Sequence, residues 1–367
     1  MVNMDNFQLK QSEMISLIIL FEIGSAVVIG LGMGAKQDAW LAILIGLACG
    51  CILFTIYHFI LKEYPGLSLV EILQTVVGQK LGTLLSVAYA CYFLYIAARV
   101  LRDFCELLLG SALSETPPYI VLIIFALAIT YALYLGVEVM GRTAPLFFSF
   151  SLSLWFIFLL GVVISKEFHF IELMPVLEHG WKPVLKTAFP LVTTFPFGEM
   201  IVFTMFSLYV SKNLSFYKIG LAGMIISGFI LVITITINIG INGAYQTSES
   251  LFPLLLTVTK IKLGDFINRL DPIVIALLII GGFFKVTIFQ WGAVQVLSRS
   301  LAIQSYRKLI LPVSLLALTI SLVMASNIIE HLDVGLKIVP LYLHIPFQIV
   351  IPVLLLTIIK IRRKLRG

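Results

Sequence analysis

Long apolar runs alternate with short polar stretches along the whole chain of 367 residues. A helix needs about 20 apolar residues to cross the hydrocarbon core of a bilayer. Ten runs meet that length: 12–34, 39–61, 82–110, 117–136, 144–165, 184–210, 217–241, 270–298, 309–327 and 339–360. The pattern predicts an all-α membrane protein, a single transmembrane domain over 1–367. The polar segment Met1 to Gln11 precedes the first run, which carries Glu22 and lacks a cleavage-site pattern, so it reads as a span and not a removable signal peptide. The two longest connections, 166–183 and 242–269, are each expected to carry a short interfacial helix, the second within Ser248 to Lys262.

Composition agrees with that class. Hydrophobic residues make up 60% of the chain and charged residues 12%, against about 25% charged in ordinary globular domains. The net charge of +6 does not mark a nucleic-acid surface, because the basic residues sit at span ends and in short connections. With the N-terminus inside, fourteen basic residues fall on inside segments, namely Lys10, Lys62, Lys80, Arg142, Lys212, Lys218, Arg299, Arg307, Lys308 and the tail Lys360, Arg362, Arg363, Lys364 and Arg366. Eight fall outside, Lys36, Lys166, Lys182, Lys186, Lys260, Lys262, Arg269 and Lys337. That bias predicts both termini in the cytoplasm, with the basic tail against lipid headgroups. Cys49, Cys51, Cys91 and Cys105 lie in apolar spans without metal-ligand spacing and read as packing residues.

Five spans precede the connection at 166–183 and five follow it, so the second half starts from the opposite side of the membrane. This predicts a 5+5 inverted repeat, the first about 12–165 and the second about 184–360. In that plan the first helix of each half is interrupted and the ligand site forms at the interruptions. The sixth span contains Phe195-Pro196-Phe197-Gly198-Glu199, a carboxylate beside two helix breakers. Proline removes a backbone donor and glycine loosens the helix, so backbone groups there are free to bind something else. The first span contains Glu22-Ile23-Gly24-Ser25-Ala26, again small residues beside a carboxylate. Helices 1 and 6 are therefore expected to be discontinuous.

Charges inside a bilayer are costly, about 2.5–3.5 kcal/mol each on insertion scales, and mark pairing or function. Glu199 reads as a gate or ligand-coordinating carboxylate. Lys285, deep in the eighth span, needs an acidic or carbonyl partner, and Glu22, Glu199 and freed carbonyls near Gly24 are the choices. A sodium ion can bridge the first and eighth helices in this plan; a fixed ammonium there would replace it, so sodium independence is expected. In the third span, Arg99 with Asp103 and Arg102 with Glu106 are i,i+4 pairs expected to bond within their own helix. His58, His169, His179, His331 and His344 form no ligand pair, and no catalytic triad or nucleotide fingerprint occurs, so neither an enzyme, a metal site nor a cofactor is expected.

Gly24-Ser25, Arg99-Val100-Leu101-Arg102-Asp103-Phe104 and Phe195-Pro196-Phe197-Gly198-Glu199 resemble the B subunit of bacterial spore germinant receptors, a branch of the amino acid–polyamine–organocation transporter superfamily. The resemblance implies a ten-helix LeuT-like fold in the inner membrane of an endospore, beside an A-type membrane subunit and a C-type lipoprotein. It implies a small germinant, often an amino acid, held between helices 1, 3, 6 and 8. Gly24, Ser25, Ala26, Phe195, Phe197 and Gly198 would meet the ligand, and Ala26 stands where the superfamily commonly has glycine. An amino acid permease coupled to protons through Glu199 or Glu22 is the alternative reading.

Overall fold

The computed structural model describes residues 7–211, 213–261 and 270–366. Inside a bilayer each backbone N–H and C=O has to be paired within the protein, and helices achieve this locally. The described residues accordingly form helices and turns, with one isolated bridge between Leu9 and Val210. In chain order the α-helices are α1 (Gln11–Ile23), α2 (Ala39–Glu63), α3 (Leu69–Val77), α4 (Gln79–Ser111), α5 (Pro118–Leu135), α6 (Val137–Ser165) and α7 (Trp181–Thr187). After them come α8 (Phe216–Glu249), α9 (Pro253–Lys260), α10 (Asp271–Ser300), α11 (Arg307–Val323), α12 (Ile328–Asp333) and α13 (Ile351–Arg366).

Among the described residues eight helices are long and apolar enough to cross a membrane, or nine if α11 is joined to its bent continuation. Two of the ten predicted spans depart from a single membrane-length helix. The 12–34 run is helical only as α1, whose 13 residues reach about 20 Å, short of a bilayer core of about 30 Å. Its helix stops at Gly24, and turns carry the chain to Gly32. The 309–327 run stops at Val323, and after a bend of 114° the chain continues as Ile328–Ile338. Both long connections contain short helical pieces, a 3-10 turn at Phe170–Leu173 and α9, which packs on α8. Lys262, Arg269 and Lys212 lie outside the described residues.

The sixth span runs from Trp181 to Met205 and is the most buried of the candidate spans. It consists of α7, a π-helical stretch at Ala188–Val192, and a 3-10 stretch at Phe197–Met205. Gly46 and Gly50, one turn apart on α2, seat it. A Cβ on Gly46 would overlap Val192 Cγ1, and one on Gly50 would overlap Phe197 Cβ. Small residues at this spacing let helices approach closely in membranes, where packing replaces the hydrophobic effect as the driving force. Gly281 and Gly282 do the same on α10. A Cβ on Gly281 would stand 3.0 Å from Gly24 Cα, and Gly282 leaves room for the Phe104 ring of α4. The α10 helix therefore runs between the end of α1 and the middle of α4, where the intramembrane charges gather.

Candidate functional site

The interruption of the sixth span follows from its own residues. Pro190 and Pro196 cannot donate, so the ladder of backbone bonds fails around them. Threonine hydroxyls add bonds to backbone carbonyls around the break. Thr193 Oγ1 donates to the Ala188 carbonyl at 2.8 Å, and Thr194 Oγ1 to the Pro190 carbonyl at 2.9 Å. Past the break, Glu199 N–H donates to the Pro196 carbonyl at 3.0 Å, which starts the 3-10 turn and fixes the direction of the Glu199 side chain.

Glu199 and Lys285 form an ion pair at 2.5 Å, and both side chains are buried. Of the three partners open to Lys285 in the sequence, Glu199 is the one bonded. The ammonium also lies 5.0 Å from the Phe21 ring centre and 4.7 Å from that of Phe195, close enough for cation–π attraction. Its stem rests on the end of α1: a Cβ on Gly24 would be 2.7 Å from Lys285 Cδ. Glu22, fully buried two residues earlier, has both carboxylate oxygens without a hydrogen-bond partner among the described residues, and Ser25 Oγ likewise has none there.

The four charges of α4 are arranged differently from the expected two internal pairs. Arg102 and Glu106 do bond, at 2.6 Å, and Arg102 Nη1 also donates to the Ser321 carbonyl at 3.3 Å. Arg99 and Asp103 instead both turn to His331 of α12. Arg99 Nη2 donates to the His331 carbonyl at 2.5 Å, while His331 Nε2 and Asp103 Oδ1 stand 2.7 Å apart. A carboxylate only accepts, so Nε2 carries the hydrogen. The reason for the departure is that His331 offers an acceptor and a donor together, satisfying both charges at once across the helix interface. Gly335 makes the approach possible, since a Cβ there would overlap Arg99 Nη2.

Two histidines with no motif around them in the sequence each join a buried polar network. His331 and His344 are both buried. His344 Nδ1 lies 2.7 Å from the Tyr92 hydroxyl and 3.1 Å from Gln348 Nε2, which also donates to Tyr92 at 2.7 Å. The Tyr57 hydroxyl donates to the Gln348 carbonyl at 2.7 Å and approaches the Gly198 carbonyl at 3.2 Å. Their common element is the π-helical stretch Pro340–Val350, whose Pro346 interrupts regular α-helical bonding. An ionisable or amide side chain within an apolar run beside prolines was the signal available in the sequence.

A cavity partly open to solvent lies between these groups. Arg99, Asp103, Glu199 and His344 give it a cationic, two acidic and one imidazole face. Phe195, Ile29, Ile96, Val100 and Val339 form much of its apolar wall, and Leu332, Gly335 and Leu336 close the side toward α12. Of the predicted ligand residues, Phe195 lines this cavity. Ala26 lines a smaller one beside α8. Phe197 packs on Gly50, Gly198 faces Gln348 Oε1, and Gly24 is occupied by the Lys285 stem. The cavity is bounded by the first, third, sixth and last spans; α10 contributes through the Lys285–Glu199 pair and not as wall.

A family profile described as "Spore germination protein" matches residues 8–329. Spore germination protein KB of Bacillus subtilis (strain 168) is 38% identical over 363 residues, covering 99% of this chain and 97% of that protein. Spore germination protein A2 of the same strain is 23% identical over 279 residues, 75% of this chain and 74% of its own length. Spore germination protein XB of Bacillus anthracis is 20% identical over 176 residues, 48% of each chain.

Proposed function

Because the chain belongs to the spore germination protein family, we propose that it is the germinant-sensing membrane subunit of a spore germinant receptor. It sits in the spore inner membrane with both termini in the cytoplasm and acts with an A-type membrane subunit and a C-type lipoprotein. Its fold is read as ten spans in a 5+5 inverted repeat, α1 and the Trp181–Met205 segment being the interrupted first helices of the two halves. The germinant is a small amino acid. The observation that carries this is the cavity whose walls put a guanidinium, two carboxylates and an imidazole around an apolar interior. An amino acid needs both signs of charge matched and a dry place for its side chain.

Binding becomes a signal only if the ligand prefers one conformation of the protein. The broken sixth span and the Ile328–Ile338 segment beyond the bend both border the cavity, so a ligand held there touches segments less constrained by regular backbone bonding. A permease reading draws on Glu22, whose buried carboxylate, without a hydrogen-bond partner among the described residues, suits a proton carrier. The discriminating test uses spores that carry this chain as their B-type subunit with its two partners, exposed to a panel of amino acids, nucleosides and sugars. Phe195→Leu and Val339→Ala are expected to change which amino acid triggers germination. A uniform change across the panel, or responses to sugars or nucleosides alone, would overturn the assignment.

A further inference from the structure

Arg99 and Asp103 have opposite charge, stand four residues apart on one face of α4 and line the same cavity, yet each is bonded to a single residue of the facing segment. His331 presents its carbonyl oxygen to Arg99 and its Nε2–H to Asp103. It thereby supplies one acceptor and one donor, the pair of functions that the carboxylate and ammonium of an amino acid carry. We propose that Ile328–Ile338 is a lid whose His331 occupies the charge-recognition subsite of the cavity, and that a zwitterionic amino acid binds by taking over Arg99 with its carboxylate and Asp103 with its ammonium.

The geometry of the segment suits that role. It leaves α11 at a bend of 114° and carries only one turn or so of α-helix before becoming π-helical at Val334–Ile338. Leu332, Gly335 and Leu336 close the cavity from this side, so displacing His331 moves the wall that shields the site. Ile329 is largely exposed, whereas His331 is fully buried, so the inward bonds help hold the segment down alongside the packing of Val334 on the core. His331 Nδ1 has no partner among the described residues, which leaves Asp103 and the Arg99 contact as its polar ties. Replacing these ties by a ligand exchanges charge-assisted bonds for charge-assisted bonds on Arg99 and Asp103, while the displaced His331 groups are released to the open side of the cavity.

The inference rests on the cavity being the germinant site. It differs from that reading in assigning the ammonium and carboxylate to α4 and in making His331 a competitor. An internal competitor lowers apparent affinity by the fraction of time the site is closed. The test is thermal stabilisation of the purified full-length protein in nanodiscs by each of the twenty amino acids, by the matching des-amino carboxylic acids, and by glucose. An amino acid that stabilises the protein is expected to do so at roughly tenfold lower concentration in His331→Ala, the change expected when a competing bond to a charged group is removed. A gain of this kind is not produced by misfolding. Asp103→Asn should weaken the amino acid relative to its des-amino analogue, and Arg99→Lys should weaken both.

Stabilisation by an amino acid with equal midpoint in the wild type and all three variants would overturn the lid while leaving the germinant reading intact. A response to glucose alone, or none across the panel, would overturn both.

Discussion

At the residue scale, the Glu199–Lys285 pair sets the energetics of the site. Two opposite charges withdrawn from water tolerate one another but not isolation, and removing one partner of such a pair costs about 3–5 kcal/mol. Glu199→Gln and Lys285→Met are each expected to lower the denaturation temperature of the detergent-solubilised protein sharply. The double variant should recover most of that loss, because no uncompensated charge remains, while germinant response stays lost since Glu199 also lines the cavity. Additive losses in the double variant would show the two residues acting separately. Both charges were legible in the sequence as misplaced hydrophilic residues, because a carboxylate or ammonium in an apolar run stands out whatever the fold. Their pairing was open among three choices, since contact between the sixth span and α10 depends on packing across 86 positions of chain. Arg99 and Asp103 show the limit more sharply. Helical spacing alone makes them partners, and only the approach of His331 from 228 residues away redirects both.

At the element scale, the broken sixth span holds its shape because α2 offers it a groove. Gly50→Val would place side-chain atoms where Phe197 lies and is expected to cost more stability than Gly110→Ala at the end of α4, where a Cβ meets no neighbour within 4 Å. Comparable denaturation temperatures for the two variants would argue against the groove. The breakers Pro196 and Gly198 announce this interruption in the sequence, whereas the sequence pattern over the π-helical Pro340–Val350 stretch is that of a plain span. Its Pro346 is a single breaker in a strongly apolar run, and its role depends on His344 and Gln348 meeting Tyr92 of α4. A second element contact is pH-sensitive. Glu71 of α3 accepts from Arg299 at the end of α10 at 2.7 Å and from the Ser68 backbone at 2.6 Å. Burial raises its carboxyl pKa, but the Ser68 and Arg299 bonds outweigh burial and hold it below the usual carboxylate range. A depressed folded-state pKa contributes stability above the unfolded value, about 4.3, and that stability is lost as pH falls through the folded value. Stability between pH 6 and pH 3 should therefore fall less steeply in Glu71→Gln than in the wild type, as read by thermal denaturation; parallel curves would remove the pair from the account.

At the scale of the whole molecule, receptor and permease require the same pocket and differ in whether the broken helices open it to both sides. A sodium-coupled version of either would need a cation between the ends of α1 and α10. The Lys285 stem lies against Gly24 in that place, and its ammonium is already bonded to Glu199. Ligand binding by the purified protein is therefore expected to be unchanged when sodium is replaced by choline at constant ionic strength, and a sodium-dependent affinity would contradict that role for Lys285. Transport is the sharper division. A transporter must expose its site alternately to the two faces, whereas a sensor needs only two states that its partners distinguish. The bent α12 segment borders the cavity on one side, and the polar array of Tyr57, Tyr92, His344 and Gln348 ties α2, α4 and the last span together on the other. Four hydroxyl, imidazole and amide groups bonded in this way resist separation, because each would be left unpaired in an apolar interior at about 1–3 kcal/mol apiece. The expectation is that proteoliposomes holding this chain alone bind a labelled amino acid germinant but do not accumulate it, with or without a proton gradient. Accumulation that follows the gradient and is abolished in Glu22→Gln would instead establish the permease and identify Glu22 as its proton carrier.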